Sequence, residues 1–225
     1  VQTPSLRRKP QQSRGRRRIE RILDAADALF VEVGFEAATT NAIAARAETS
    51  IGSLYQFFPN KDAILNALAE RHLANMRAVN AGLLNAEVAA MPFPEGLHRA
   101  IDTLAAYHAA NPGFRLLFCG AMTTGQLARS ADELHREVAQ LAEGVLLACL
   151  PRLDPARVGL VATVVVHGVR AMMTLASTCD PARRPEILAE AKTLLGRYLE
   201  PWAAARIGTS DATPAIEGDR VAGRA

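Results

Sequence analysis

The chain of 225 residues reads as all-α. Alanine is abundant, apolar residues recur at steps of three and four along successive segments, and most glycines and prolines fall between those segments. Apolar residues make up 49% of the chain, which excludes a disordered composition and leaves ample material for a core.

Residues 1–15 are rich in Gln, Arg and Pro and read as an unstructured arm. From Arg16 a helix is expected, with Ile19, Ile22, Leu23, Ala26, Leu29, Phe30 and Val33 on one apolar stripe and Gly34 closing it in the left-handed conformation. Thr39 and Thr40 offer an N-cap to a short helix over 41–47, with Ile43, Ala44 and Ala47 turned inward. Glu48, Thr49 and Ser50 form a tight turn, and Ser50 is placed to cap a second short helix, Ile51–Phe57. Leu54 and Phe57 or Phe58 point to the core, and Pro59 ends the helix for want of an N–H. Asn60 caps a longer helix over about 61–88, with Ile64, Leu65, Leu68, His72 and Met76 along one side. Beyond Pro92 and Pro94, helices are expected near 95–110, 113–126, 130–150, 155–178 and 184–205, followed by an aperiodic tail over 207–225. Residues 164–166 are β-branched, but their run is too long for a typical strand and no hairpin signal flanks it.

Charge is unevenly placed. The net charge is +3, yet residues 1–18 hold seven basic side chains and no acid, leaving 19 basic against 23 acidic groups over 19–225. The arm suits nucleic acid or an anionic surface, or is simply a solvated tail. Cys119, Cys149 and Cys179 are far apart and form no CxxC pair, which favours a reducing cytosol over a disulfide framework. The five histidines show no tight ligand spacing, so no metal and no cofactor is expected. No apolar segment follows the basic N-terminus, so it does not read as a secretory signal. The apolar run 158–177 has the length of a bilayer span but contains His167 and Arg170, so it reads as a buried core helix and no membrane partner is expected.

Two short helices joined by a three-residue turn, after an amphipathic helix, make a helix-turn-helix. Its second helix exposes small and polar side chains and so suits a major groove. Gly52 and Ser53 permit close backbone approach, Tyr55 has a hydroxyl for a phosphate, and Gln56 has an amide for a base edge. Thr39, Thr40, Ile43, Ala44, Gly52, Ser53, Leu54, Tyr55, Phe58 and Lys61 stand at the spacing of the DNA-binding domain of the TetR family of bacterial transcriptional regulators. With the upstream run from Ile22 to Phe30 and the pair Gly34-Phe35, residues 19–68 resemble that domain closely. Departures are Glu48 at a left-handed turn position usually held by Gly, Thr49 for a small aliphatic residue, and Ile51 where a polar residue is common.

The resemblance implies an all-α protein with an N-terminal three-helix helix-turn-helix domain (16–66) followed by a helical ligand-binding and dimerisation domain (67–206). It implies a cytoplasmic homodimer, most simply a repressor, that binds a palindromic double-stranded DNA operator and is released by a small apolar or amphipathic effector. By position, Thr40, Tyr55 and Lys61 correspond to phosphate contacts. Asn41, Ser50, Ile51, Ser53 and Gln56 correspond to positions that vary with operator sequence, with Gly52 beside them. Arg16, Arg17 and Arg18 add positive charge at the arm's end. A cation at Lys61 opposes its own helix dipole, which a bound phosphate would relieve.

Aromatic, sulfur-bearing and isolated polar residues on apolar helices mark the candidate effector site: Tyr107, His108, Phe114, Phe118, Cys119, Met122, His167, Arg170, Met172 and Met173. Two apolar helices at the C-terminal end provide the expected dimer bundle, through Val161, Val165, Val169, Leu188, Leu195, Leu199 and Trp202. The rival classes are an all-helical enzyme, which lacks a catalytic constellation here, a membrane-associated helical protein, and a DNA-organising protein without a ligand.

Overall fold

The computed structural model describes residues 13–119 and 125–203, which form ten α-helices and three short 3-10 turns, with no strand among the described residues. The arm through residue 12, Met122 and the tail over 207–225 lie outside the described residues. Helix α1 (Ser13–Ala37) begins ahead of Arg16 and takes in Arg14. It bends at Gly34, whose φ of 80° and ψ of 161° belong to a region open to glycine alone, so the chain kinks there instead of stopping. Val33 therefore points outward, 50% exposed, and leaves the stripe to which its spacing assigned it.

Helices α2 (Thr40–Arg46) and α3 (Ile51–Phe57) are seven residues each, too short to persist alone. Caps and core contacts hold them. Thr39 Oγ1 accepts from the Ala42 N–H at 3.1 Å, Ser50 Oγ from Ser53 at 3.1 Å, and Asn60 Oδ1 from Ala63 at 2.8 Å. Each such cap is worth about 1 kcal/mol. Between α2 and α3, Glu48 sits at φ 50°, the left-handed position expected of it. Ile22, Phe30, Ile43, Leu54, Phe58, Ile64 and Leu68 are fully buried beneath these helices.

Helix α4 (Lys61–Leu83) runs straight through the expected boundary at 66. The apolar core is continuous there too, passing from Ile22 and Leu68 through Met76 to Phe114, Phe118, Leu134 and Val138. Asn85 then caps the short α5 (Ala86–Ala89), so α4 ends at Leu83 and not near 88. Helix α6 (Glu95–Ala110) follows, and α7 (Pro112–Phe118) is shorter than the expected 113–126. Helix α8 (Gly125–Cys149) starts earlier than expected. Helix α9 (Val158–Thr178) carries residues 164–166 at its middle and packs against α6, α8 and α10 (Arg184–Leu199). It is long and apolar enough to cross a membrane, but here it is an element of this helical assembly.

Candidate nucleic-acid interface and ligand cavity

The outer face of α2 and α3 carries the expected reading residues. Asn41, Ile51, Gly52, Tyr55 and Gln56 are exposed and Ser53 half-exposed. The hydroxyls of Thr40 and Tyr55 lie 3.0 Å apart and hydrogen-bond, bringing two expected phosphate contacts to one spot across the turn. A Cβ added at Gly52 would meet nothing within 4 Å, so the fold itself does not demand glycine there. Ser50 caps α3 as expected, its oxygen accepting from Ser53, which leaves its hydroxyl hydrogen and one lone pair for another partner. Arg16, Arg17 and Arg18 are exposed along the first turns of α1. Arg46 is engaged in a two-point bond to Glu32 at 2.5 and 2.6 Å, which holds that carboxyl below its ordinary range.

Lys61 is expected as a phosphate contact, but in the fold its ammonium is already engaged. Its Nζ donates to the carbonyls of Phe35 (2.5 Å), Glu36 (3.2 Å) and Ala38 (3.0 Å) and stands 4.3 Å from the Phe35 ring centroid. The ammonium is thus aimed away from the amides of its own helix and towards the carbonyl end of α1, where a cation is favourable. Its three hydrogens are all used.

The second feature is a cavity of about 180 Å³ among α4, α6, α7, α8 and α9. It follows α8 from Leu134 to Cys149, about 22 Å at the α-helical rise, and reaches Leu150 beyond it. Its two ends differ in chemistry. Cys119 lies against His108 and Thr174 and, like His135, feels the charge of Arg170, whereas Phe93, Leu146, Leu150 and Leu199 pack in a separate apolar cluster. His108 is pushed down to about 4 by burial, with the charge of Arg115 adding to it. His135 is likewise pushed down to about 4, by burial first and then by Arg170. Both imidazoles are therefore neutral at pH 7. Burial raises the Cys119 thiol, opposed in part by Thr174, Arg170 and Arg115.

Six expected effector residues line the cavity: His108, Phe114, Phe118, Cys119, Arg170 and Met173. Tyr107, His167 and Met172 do not. Tyr107 packs behind Phe114 at 5.6 Å between ring centroids. His167 is exposed beside the cavity and does not line it, its ring 5.8 Å from that of His135. A run apolar on all sides offers no means of deciding which face of α9 looks inward. Sequence reasoning misses His135, although it is an isolated polar residue beside the buried Leu134 and Val138 and meets the criterion that selects His108.

Residues 22–68 match the family described as bacterial regulatory proteins, tetR family, and residues 92–199 match a tetracyclin repressor-like C-terminal domain. The solved structure of a TetR-family transcriptional regulator from Streptomyces coelicolor is 31% identical, with 83% of this chain and 98% of that one covered at a TM-score of 0.61. The chain belongs to the TetR family of transcriptional regulators. The repressor KstR of Mycobacterium tuberculosis is 38% identical over 63 residues, 28% of this chain. The match spans only 29% of KstR's own length. The fold is also that of the Bacillus subtilis transcriptional regulator FadR, solved in complex with stearoyl-CoA, at 17% identity and a TM-score of 0.59 over 80% of this chain and 97% of that one.

In this TetR-family chain the helices that carry α2 and α3, α1 and α4, meet the cavity at one seam. Phe114 lines the cavity and also faces the ring of His72 on α4, centroids 6.2 Å apart. His72 Nε2 lies 3.3 Å from Asp27 Oδ1 on α1. A Cβ at Gly113 would fall 1.6 Å from that same oxygen, so only glycine lets α7 and the Asp27 carboxylate approach this closely. Arg71 adds bonds to Asp24 at 2.6 Å and Glu20 at 3.3 Å, tying α4 to α1.

Several of the expected dimer residues are used inside the subunit, while Val169, Leu188 and Trp202 are half-exposed. Val161, Leu195 and Leu199 are buried in the subunit's own core, and Val165 and Val169 line the cavity. Leu188 packs on the cluster of Ile101, Met173 and Leu195, and Trp202 on Tyr198, with Arg157 over its ring. On α9 and α10 the large apolar residues facing outward are Leu160 (63% exposed), Val164, Leu175 and Leu194 (56%). Leu160, Val164 and Leu175 recur at helical spacing along one side of α9.

Proposed function

We propose that this TetR-family regulator is a ligand-responsive repressor that binds a palindromic operator as a homodimer and is released by a small apolar or amphipathic effector. Its place of action is the cytoplasm, with no enzymatic step, no metal and no cofactor. The observation that carries the reading is that Phe114 belongs both to the cavity wall and to the seam with α1 and α4. A ligand that reshapes the wall at α7 thereby bears on the helices that aim α3. FadR, of the same fold, was solved with stearoyl-CoA bound, which supports an apolar-chain effector.

On this reading Thr40 and Tyr55 hold one phosphate, while Asn41, Ile51, Ser53 and Gln56 face base edges beside Gly52. Ile51 suits a thymine methyl. Leu160, Val164, Leu175 and Leu194 cover one another across the two-fold axis, replacing the buried residues first expected to do so. The dimer sets its two α3 helices at successive major grooves, roughly 34–36 Å apart. An effector draws the dimer off DNA only by its differential affinity for another spacing.

Selection of bound fragments from genomic DNA, followed by footprinting, tests the reading. A palindrome protected by wild type and bound about tenfold less tightly by Tyr55→Phe is expected. Binding without sequence preference, or full affinity in a Leu160→Asp, Leu175→Asp monomer, overturns it.

A further inference from the structure

The cavity is apolar along most of its length, but its charge is one-sided. Among the described residues that line it there is no Asp, Glu or Lys, and Arg170 is the one full positive charge. Arg170 stands at the end that also holds His108, Cys119, His135 and Thr174. Its side chain is only about one-third exposed, and among the described residues a single one of its guanidinium nitrogens is bonded to a carboxylate, Nη1 to Asp132 Oδ1 at 2.9 Å. Asp132 itself is well exposed, on the outer side of α8. A guanidinium has five N–H donors, so this pairing leaves donors over. A half-buried cation with spare donors at the polar end of an otherwise apolar cavity is suited to anchor an anion.

We infer that the effector is a single-chain amphiphile with a compact anionic head group, a fatty carboxylate, held by Arg170, its tail lying along α8 towards Leu150. This rests on the effector-release reading above and adds to it the sign of the head group, its anchor and the direction of the tail. A cationic head is disfavoured twice, by repulsion from Arg170 and by the absence of a carboxylate from the described lining. A neutral head forgoes the charge-assisted bond, worth roughly twice a neutral one. The neutral imidazole of His135, held so by burial and by Arg170, is placed to give or take one further hydrogen bond to the head. Asp132 competes for the guanidinium from outside, so removing its charge frees Arg170 for the ligand.

Displacement of the neutral apolar dye N-phenyl-1-naphthylamine from the full-length protein by dodecanoate, dodecanol, dodecylamine and dodecanoyl-CoA tests the inference, with operator release read in parallel. Dodecanoate is expected to displace the dye at least tenfold more tightly than dodecanol and to release the operator. Arg170→Gln abolishes that preference while leaving dodecanol unchanged, Arg170→Lys retains part of it, and Asp132→Asn increases it. Equal binding of acid and alcohol, tighter binding of the amine, or an undiminished preference in Arg170→Gln overturns the anion anchor. Tighter binding of the CoA thioester overturns the compact head group. If dye and amphiphiles all fail to bind while the operator is still held, the effector reading itself falls, whatever the charge at Arg170.

Discussion

The reading head and the cavity domain use the same element, the α-helix, under opposite constraints. In the head, α2 and α3 are too short to persist alone, so nearly every residue that interrupts or ends them has a single structural role. Thr39, Ser50 and Asn60 cap, Glu48 turns, and Pro59 stops. In the cavity domain, α8 and α9 are long, and many apolar residues would fill the same space. The head is thus specified by its punctuation and the cavity by its packing. Where the two meet, however, there is no gap. One apolar core runs through both, and Phe114 is shared. The regions differ in how they are encoded but not in how they are held.

The severest way to break that comparison is to remove the shared ring. Phe114 lies within 5.0 to 6.2 Å of the rings of His72, Tyr107, His108 and Phe118. Phe114→Ala is expected to cost about 3–5 kcal/mol. It should lower the melting of both regions in one transition, followed by Trp202 fluorescence for the cavity domain and by operator binding for the head. A head that keeps wild-type operator affinity after the Trp202 signal has melted would show two independent units.

The same contrast explains what can be read from the sequence. The head is legible almost to the residue because caps, turns and stops are local chemistry. Even the strain at Glu48 is foreseeable, and its φ of 50° bears that out. The role of Lys61 is not, because its partners are carbonyls on α1 that only the tertiary fold brings near. In the cavity domain the sequence reveals the helices but not their faces. A helix apolar on all sides, such as α9, has no periodic signal to say which stripe lines a cavity and which meets solvent. Hence Val161 and Leu195 are expected outward although they are buried, and Leu160 goes unremarked although it is exposed.

Lys61 sharpens the comparison next. A phosphate contact would make it part of DNA recognition, whereas its three carbonyl bonds make it part of the head's stability. Lys61→Met should cost about 2–3 kcal/mol, the scale of hydrogen bonds to a charged donor. The dependence of operator affinity on salt should not change, since no counterion-releasing contact is lost. A salt slope reduced by about one unit with unaltered melting would restore the phosphate role.

Acid should then destabilise the protein through the cavity domain. The unfolded chain takes up a proton on histidine near 6.5, but His108 in the fold does so only near 4. Between those values the unfolded state binds more protons, so stability is full above about pH 6.5 and is lost as the pH falls towards 4. By pH 5 the loss from His108 is on the order of 2 kcal/mol. His135, held down to about 4 in the same way, adds a similar loss, so the gap between urea midpoints at pH 7 and pH 5 should roughly halve in His108→Gln, and an unchanged gap in that variant would place the acid sensitivity elsewhere.

The smallest expected effect tests whether punctuation in the head is set by folding or by DNA. Glu48 holds a left-handed backbone at a cost of about 1 kcal/mol that glycine would not incur. Glycine also gains freedom in the unfolded chain, which cancels part of that advantage. Glu48→Gly should therefore stabilise the protein by only about 0.5 kcal/mol, read as a small rise in the thermal midpoint. Glu48 is exposed in the turn that precedes α3, so its carboxylate should repel phosphate, and removing it should also raise operator affinity at low salt. If stability rises and affinity does not, Glu48 lies clear of the backbone of the duplex. If affinity rises more than stability, the residue weakens DNA binding at a position where the fold alone would prefer glycine, and a turn that looks purely structural then helps to set how readily the regulator lets go.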